Sequence, residues 1–339
     1  GMAVKFAGTT DEVGFIMLHV YINELGPDLL KSIYHCHDAL KEHAASGTNT
    51  TKQMNEGLEL NFKTIKAMNG RRQEMWAASN PKNYNDFRIF IMGIKGNEDL
   101  FGDGLVYKGC FNDEPQQFRG QTGAQDDIIP TQDIFSGLTH FYQENELTKY
   151  LFDLRKYRPQ SVQTFFKDLR DSMDNLAIFK ALHVTGNVEG LVWLWRIVDE
   201  IYRFRNGHWQ FVQKYIMENT KYPKATGGTP ITSWLINQIE ACLQYQTKIQ
   251  ESMDEIVSVF ALKGSTTDAS TGVVDMKYET DNEDLVNAHN DLRKSLPGKK
   301  QLLTKQVQHL NEGANYNITL MYAWNKELGL NDDPALNAA

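Results

Sequence analysis

The chain has 339 residues, of which 41% are hydrophobic, and its formal net charge is −8. This length and apolar content can bury a core large enough for one or two domains. The acidic balance, without a basic stripe, argues against nucleic acid as a main partner.

The cysteines and the lack of targeting signals indicate a reducing compartment. Cys36, Cys110 and Cys242 show no CxxC spacing, which argues against a disulfide framework or a structural zinc site. No apolar run approaches the roughly 20 residues of a membrane span, and no signal peptide is visible. We therefore expect a soluble cytoplasmic protein with no membrane partner.

Helical periodicity dominates the first part of the chain. The polar residues 9–11 are candidate N-caps for a helical stretch over 12–43, which Pro27 is expected to end or kink. A second helical stretch covers 53–78, with apolar residues on one face. Residues 86–94, "DFRIFIMGI", have the composition of a strand, but their helical neighbours favour a buried helix.

A long irregular segment over 95–130, rich in glycine and polar residues, separates these helices from the rest. Loops of this length in a compact domain are usually functional or disordered. Further helices follow, and the stretch 188–217 is apolar on several sides, which predicts a central position. Another helix over 231–260 precedes a polar stretch that is typical of a linker.

The pattern predicts an all-α, multi-helix protein in four segments. Residues 1–11 form an N-terminal tail whose opening Gly-Met is interpreted as a cloning remnant. A helical domain covers 12–262, a mobile linker covers 263–284, and two or three amphipathic helices form a C-terminal extension over 285–339.

Two of the nine histidines lie in apolar stretches. His208 occurs in "RFRNGHWQFVQKYI" with Arg205 one turn earlier, and His19 shares a helix face with Phe15. A lone histidine is more often a hydrogen-bonded core residue than a ligand. The nearby arginine favours another interpretation, in which His208 binds a heme iron and Arg205 pairs with a propionate. The residues alone leave both interpretations open.

Other polar features are less specific. The glycine-threonine loops "GQTGAQ" (120–125) and "ATGGTP" (225–230) lack a phosphate-binding context. Their amides and hydroxyls suit carboxylates or an ammonium group, and the alternative is a pair of simple turns. His289 and His309 lie in the polar tail, where we expect them to be solvated.

Four ordered motifs together resemble the heme domain of indoleamine 2,3-dioxygenase. The wider superfamily includes tryptophan 2,3-dioxygenase and the tryptophan-rearranging heme enzyme of pyrrolnitrin biosynthesis. The resemblance runs from about residue 12 to about residue 250. The motifs are "RIFIMGIKGNEDLFGDGLVYKGCFNDEPQQFRGQTGAQ", "LRKYRPQSVQTFF", "RFRNGHWQFVQKYI" and "ATGGTP".

The resemblance implies a heme b cofactor and assigns residues to it. His208 stands where the family places its proximal iron ligand, and Arg205 matches an arginine near a heme propionate. Asp133 falls at an acidic position on the proximal side, where it would orient His208. Thr122 and Gly123 match the loop that lies over the heme edge.

The resemblance also implies a substrate side. Phe15 matches a distal aromatic residue, and Arg88 matches the arginine that pairs with the substrate carboxylate. His19 falls where indoleamine dioxygenases have a serine and where tryptophan dioxygenases use a histidine near the indole nitrogen. Tyr84 is expected to sandwich the indole together with Phe15, and Thr226 matches a substrate-contacting threonine.

The implied activity is oxygenation of an indole. A heme-dependent dioxygenase would open the C2–C3 bond of tryptophan or a related indole with O₂, giving an N-formylkynurenine-type product. Three alternatives stay open: a relative that rearranges or hydroxylates a modified indole, a heme-binding sensor or carrier without turnover, and a helical scaffold. The residues do not decide the oligomeric state.

Overall fold

The computed structural model describes residues 2–220, 231–260, 266–267, 274–275, 283–311 and 318–330. Helices dominate these ranges, which confirms the predicted all-α fold class. The α-helices are α1 (Thr10–Asn23), α2 (Gly26–Ser46), α3 (Thr51–Gln73), α4 (Met75–Ala78), α5 (Tyr84–Ile91), α6 (Glu98–Phe101), α7 (Ile128–Ser136), α8 (Glu146–Arg155), α9 (Gln160–Leu176), α10 (Ile178–Val184), α11 (Val188–Phe211), α12 (Ile231–Phe260), α13 (Glu283–Asn311) and α14 (Ile318–Glu327).

Shorter elements connect these helices. Four short 3₁₀ helices and one π-helix, Val212–Met217, are present in the described ranges. The 3₁₀ helices are Pro81–Asn83, Phe111–Asp113, Gly123–Gln125 and Leu138–Phe141. Two-residue strands form two antiparallel pairs, β1 (Leu105–Val106) with β2 (Pro115–Gln116), and β3 (Thr266–Thr267) with β4 (Val274–Asp275).

The N-terminal helices begin and end where the local signals place them. The Thr9 side chain caps α1 by accepting a hydrogen bond from the Glu12 amide at 3.2 Å. Pro27 lies in the first turn of α2, where its missing N–H is tolerated, and it separates α1 from α2. The stretch 86–94 falls largely in α5, which confirms the helical interpretation over the strand, but the helix is not buried on all sides, since Ile89 is 62% and Phe90 54% exposed.

The segment after α5 is mainly irregular, as predicted, and is anchored at both ends. The Gln121 amide donates to the Ile91 carbonyl at 3.0 Å, and the Ile94 amide donates to the Phe118 carbonyl at 2.9 Å. The Asn23 side chain donates to the Asp126 carboxylate at 2.8 Å. These bonds place the end of the segment beside α5 and α1.

Helix α11 lies at the centre of the core between α3 and α12. Trp195 and Trp209 are fully buried on it, and buried side chains occur all around its circumference. This confirms the central position that its apolar character predicted. No described helix combines the length and the apolar character that a bilayer crossing requires.

The C-terminal helices pack on this core, and one prediction about them is wrong. His289 on α13 was expected to be solvated, but it is fully buried, with Nε2 3.3 Å from the Asp254 carboxylate on α12. Lys299 on α13 is also buried and pairs with Asp199 on α11. The polar residues of α13 meet polar partners inside the protein, which a hydropathy pattern does not reveal. Most of the linker predicted over 263–284 lies outside the described residues.

Candidate functional site

His208 lies in the last turn of α11, directly before the π-helix Val212–Met217. Single π-helical turns are frequent at functional sites. The side chain is half-buried, and its ring stacks on Phe204 with 6.3 Å between centroids. Burial, then the nearby Arg72 and His19, lower the pKa of His208 to about 4. The imidazole is therefore neutral at pH 7, the state in which it can bind a metal.

His19 on α1 approaches the same region. It lies near enough to His208 to contribute to the lowered pKa of that residue, and a Cβ built on Gly123 would lie 3.9 Å from its Nε2 atom. Its Nδ1 atom lies 2.8 Å from the Phe15 carbonyl oxygen. Because a carbonyl only accepts hydrogen bonds, Nδ1 carries the proton and Nε2 of the neutral ring keeps its lone pair. The structure thus brings His19, His208 and the loop at Gly123 together.

An aromatic wall stands beside His19. Phe15 lies 5.2 Å from Tyr84 and 5.5 Å from Phe87, measured between ring centroids. Phe15 and Tyr84 contact each other directly, so this structure holds no gap between the two rings for the predicted indole sandwich. The rings instead present one continuous wall. Phe87, one turn after Tyr84, was missed from the sequence.

Arg88 lies in the same helix as this wall, one turn after Tyr84, and only 2% of it is exposed. Burial lowers the pKa of Arg88, and Tyr84 opposes that effect. Burial also raises the pKa of Tyr84 to about 12, so its hydroxyl stays protonated. The planar guanidinium of Arg88 offers parallel N–H donors, a geometry that suits a carboxylate.

Arg205 is held inside the protein on the other side of α11. Its guanidinium lies 2.9 Å from both Asp133 oxygens, 2.9 Å from the Tyr142 hydroxyl and 2.9 Å from the Gln238 carbonyl. It also lies 3.0 Å from the Cys242 sulfur. Burial would lower the Arg205 pKa, but the adjacent Asp133 carboxylate outweighs it and raises that pKa.

This pairing differs from the roles that the resemblance implied for Arg205 and Asp133. Asp133 was expected to orient His208, but the hydrogen bonds described for its carboxylate go to Arg205 and Tyr142. Arg205 was expected beside a heme propionate, but a fully buried guanidinium requires an internal carboxylate, and Asp133 provides it. The pair anchors α11 three residues before His208.

The loop at 120–125 has a defined turn structure. The Thr122 hydroxyl accepts from the Ala124 amide at 3.3 Å, and the Gln125 side chain accepts from the Thr122 amide at 3.3 Å. This reciprocal capping box fixes the 3₁₀ turn next to His19. The second glycine-threonine loop, with Thr226, lies outside the described residues.

The chain matches a known protein family over most of its length. The sequence model described as Indoleamine 2,3-dioxygenase matches residues 1–272. The chain belongs to the indoleamine 2,3-dioxygenase family. This confirms the resemblance carried by the four ordered motifs and agrees with the all-α fold.

Individual members of the family are distant from this chain. "Indoleamine 2,3-dioxygenase acdA" of Aspergillus candidus is 26% identical over 249 residues, which cover 69% of this chain and 59% of that protein. "6-hydroxytryptophan 2,3-dioxygenase fscD" of Fusarium equiseti is 25% identical over 224 residues, 63% of this chain and 50% of that protein. "Indoleamine 2,3-dioxygenase 1" of Rattus norvegicus is 30% identical over 89 residues, 26% of this chain and 21% of that protein. The chain thus matches less than two thirds of the length of these relatives.

Indoleamine 2,3-dioxygenases depend on heme. A heme held by one histidine needs a neutral imidazole and apolar surface beside it. His208 supplies the neutral ring, and Phe204 and Phe211 lie one turn before and after it on the same face. The donor set therefore fits a heme.

One residue of this region, Arg72 on α3, was missed from the sequence. It is buried, and a Cβ built on Gly207 would overlap its guanidinium. A glycine inside a helix lowers helix stability by about 1 kcal/mol, so it often marks close approach of another group. Gly207, directly before His208, was the available signal.

Proposed function

We propose that this indoleamine 2,3-dioxygenase family member is a heme-dependent dioxygenase. It opens the indole C2–C3 bond of tryptophan or a related indole with O₂ and yields an N-formylkynurenine-type product. The observation that best supports this proposal is the approach of His19 to a neutral His208, beside an aromatic wall with a buried arginine. The His208 imidazole keeps a lone pair at neutral pH.

In this proposal the cofactor is bound mainly by a residue of α11. The neutral His208 imidazole would hold the iron, and the loop at Thr122 and Gly123 would lie over the heme edge. The heme, when bound, supplies the centre at which O₂ becomes reactive. The Asp133–Arg205 pair keeps the helix that carries His208 in place.

In this proposal residues of α1 and α5 bind the substrate. Arg88 binds the carboxylate with two parallel hydrogen bonds, a geometry that lysine does not offer. The Phe15–Tyr84–Phe87 wall packs on one face of the indole. His19 Nε2 accepts the indole N–H and orients the ring without serving as an essential base. Thr226 completes the substrate contacts in this proposal.

The substrate class includes ring-substituted tryptophans. One relative is named for 6-hydroxytryptophan, and the wall described for this chain is built from aromatic rings, which pack on substituted and unsubstituted indoles alike. Values of kcat/KM for tryptophan and for hydroxylated tryptophans, measured under the same conditions, identify the preferred substrate.

The test begins with an absorbance spectrum of the heme-reconstituted chain, followed by turnover of tryptophan in ¹⁸O₂. We expect a Soret band and a product that carries both labelled oxygen atoms. His208→Ala should lose the Soret band of the wild type, whereas His140→Ala, an exposed histidine paired with Asp174, should keep it. An unchanged band in His208→Ala contradicts the proposal.

A second candidate is a heme enzyme that rearranges or hydroxylates a modified indole. His19, in place of the serine of indoleamine dioxygenases, favours it, because an additional acceptor beside the indole can support other outcomes. A product with one labelled oxygen or none supports this candidate. Heme binding without conversion of any indole supports a sensor instead.

A further inference from the structure

The guanidinium of Arg72 lies against the backbone that carries His208. Only 4% of Arg72 is exposed, and a Cβ on Gly207 would overlap Nη1 and lie 2.6 Å from Cζ. A side chain at position 207 would therefore displace this cation. Glycine at 207 allows a full positive charge to approach α11 directly before the proposed iron ligand.

Two phenyl rings place this charge on the His208 face of α11. The Arg72 guanidinium lies 5.5 Å from the Phe204 ring centroid and 5.6 Å from the Phe211 centroid. Phe204 precedes His208 by four residues and Phe211 follows it by three, so the three side chains share one face. The Phe204 ring also stacks on the His208 ring.

Hydrogen bonds hold Arg72 in this position. Its Nε donates to the Asn69 amide oxygen at 3.3 Å, and one Nη donates to the Arg203 carbonyl at 3.4 Å. Asn69 in turn donates to the Glu200 carbonyl and carboxylate, both at 2.8 Å. The charge is thus tied to α3 and α11 at once, and its distance from His208 is fixed by the helix packing.

We propose that Arg72 is a positioning residue whose fixed charge favours the ferrous state of a heme bound at His208. This inference rests on the proposed function. One-electron reduction by an external donor lowers the positive charge at the iron by one, from ferric to ferrous. A cation held nearby in the protein interior repels the ferric state more strongly, so it raises the reduction potential.

The test is a spectroelectrochemical titration of the heme-loaded full chain with one-electron dye mediators. We expect Arg72→Met to raise the ferric-to-ferrous ratio at the wild-type midpoint about tenfold, which equals a fall of about 59 mV in the potential. Arg72→Lys keeps the charge and should restore most of the potential. A merely structural role would not distinguish the two variants in this way.

Arg71→Met is the matched control. Arg71 is the neighbouring residue on α3, but it lies over the Tyr21 ring at 3.9 Å and pairs with Glu24, away from α11. The variant removes the same charge from the chain and should leave the potential unchanged. If Arg72→Met and Arg71→Met both match the wild type, the inference is overturned.

Gly207→Ala provides a test that keeps Arg72 itself. The added methyl group must push the guanidinium away, so we expect a smaller fall in potential in the same direction. If Arg72→Met fails to bind heme, a Gly207→Ala potential equal to that of the wild type overturns the inference. A wild-type chain without a Soret band contradicts the proposed heme function, which is a separate outcome.

Discussion

The helix that carries His208 is fixed by buried ion pairs, whereas the wall facing His19 on α1 and α5 is built from aromatic contacts. The first region contains the Asp133–Arg205 pair and, nearly two turns earlier on α11, the Asp199–Lys299 pair. The second contains rings 5.2 to 5.5 Å apart and one buried guanidinium. Both regions are buried, but paired charges hold the first together and contacts between aromatic rings hold the second.

This difference separates stability from substrate recognition. A buried ion pair that loses one partner leaves an uncompensated charge, so the helix holding the proposed iron ligand cannot shift without a large penalty. Aromatic contacts are less directional and adapt to the shape of a neighbouring ring. We therefore expect substitutions in the ion pairs to reduce folding stability, and substitutions on the α1–α5 wall to reduce turnover while the fold persists.

The largest expected effect is the loss of the Asp133 carboxylate. Asp133→Ala leaves Arg205 buried without its carboxylate, which should lower the free energy of unfolding by about 3–5 kcal/mol. Urea denaturation followed by circular dichroism measures it. Asp171→Ala, which removes an exposed partner of Lys167, should change stability by less than about 1 kcal/mol. If the two substitutions lower the free energy of unfolding equally, the buried ion pair has no special role in stability, and the proposed contrast between the two regions fails.

Arg88→Lys tests the other region. It keeps the charge but loses the two-pronged geometry, so we expect kcat/KM for tryptophan to fall about a hundredfold, or about 2.7 kcal/mol in transition-state stabilisation. The urea midpoint should change little. Arg170→Lys, whose guanidinium lies 5.1 Å from the Phe152 ring outside the site, is the control. Wild-type kcat/KM in Arg88→Lys would exclude Arg88 as the carboxylate partner.

Lys299→Met tests whether the ion-pair framework extends to α13. Burial raises the Asp199 pKa, but Lys299 and Arg203 outweigh it and lower that pKa to about 2. Because the folded pKa lies below the unfolded one, the carboxylate stabilises the fold above about pH 4, and this stability is lost as the pH falls towards 2. The variant should lose about 1–2 kcal/mol at pH 7 and show a smaller further loss between pH 4 and 2. An unchanged acid profile would show that Lys299 does not set this pKa.

The sequence predicts the helical framework well because its signals are local. Thr9 caps α1, Pro27 starts α2, and α5 forms where helical neighbours outweighed a strand-like composition. These features depend on residues within one or two turns of each other. The family motifs also depend on short ordered stretches, and the family match confirmed them.

The polar pairings could not be predicted, because they join distant parts of the chain. Asp133 and Arg205 are 72 residues apart, and Arg72 bonds to the Arg203 carbonyl across 131 residues. No periodicity records such contacts. The burial of His289 was missed for the same reason, since its partner Asp254 lies on another helix. The contact between Phe15 and Tyr84 depends on the packing of α1 against α5, which the two helices do not specify separately.

The smallest expected effect concerns the hydrogen bond from the indole to His19. His19→Phe removes the Nε2 acceptor but keeps an aromatic ring, so kcat/KM for tryptophan should fall about fivefold to tenfold, in line with about 1 kcal/mol for one hydrogen bond. With N1-methyltryptophan, which has no indole N–H, the same substitution should have little effect. His19→Gln offers a side-chain oxygen and should recover part of the tryptophan rate. If His19→Phe slows both substrates equally, His19 does not accept the indole N–H, and its contact with Phe15 only shapes α1.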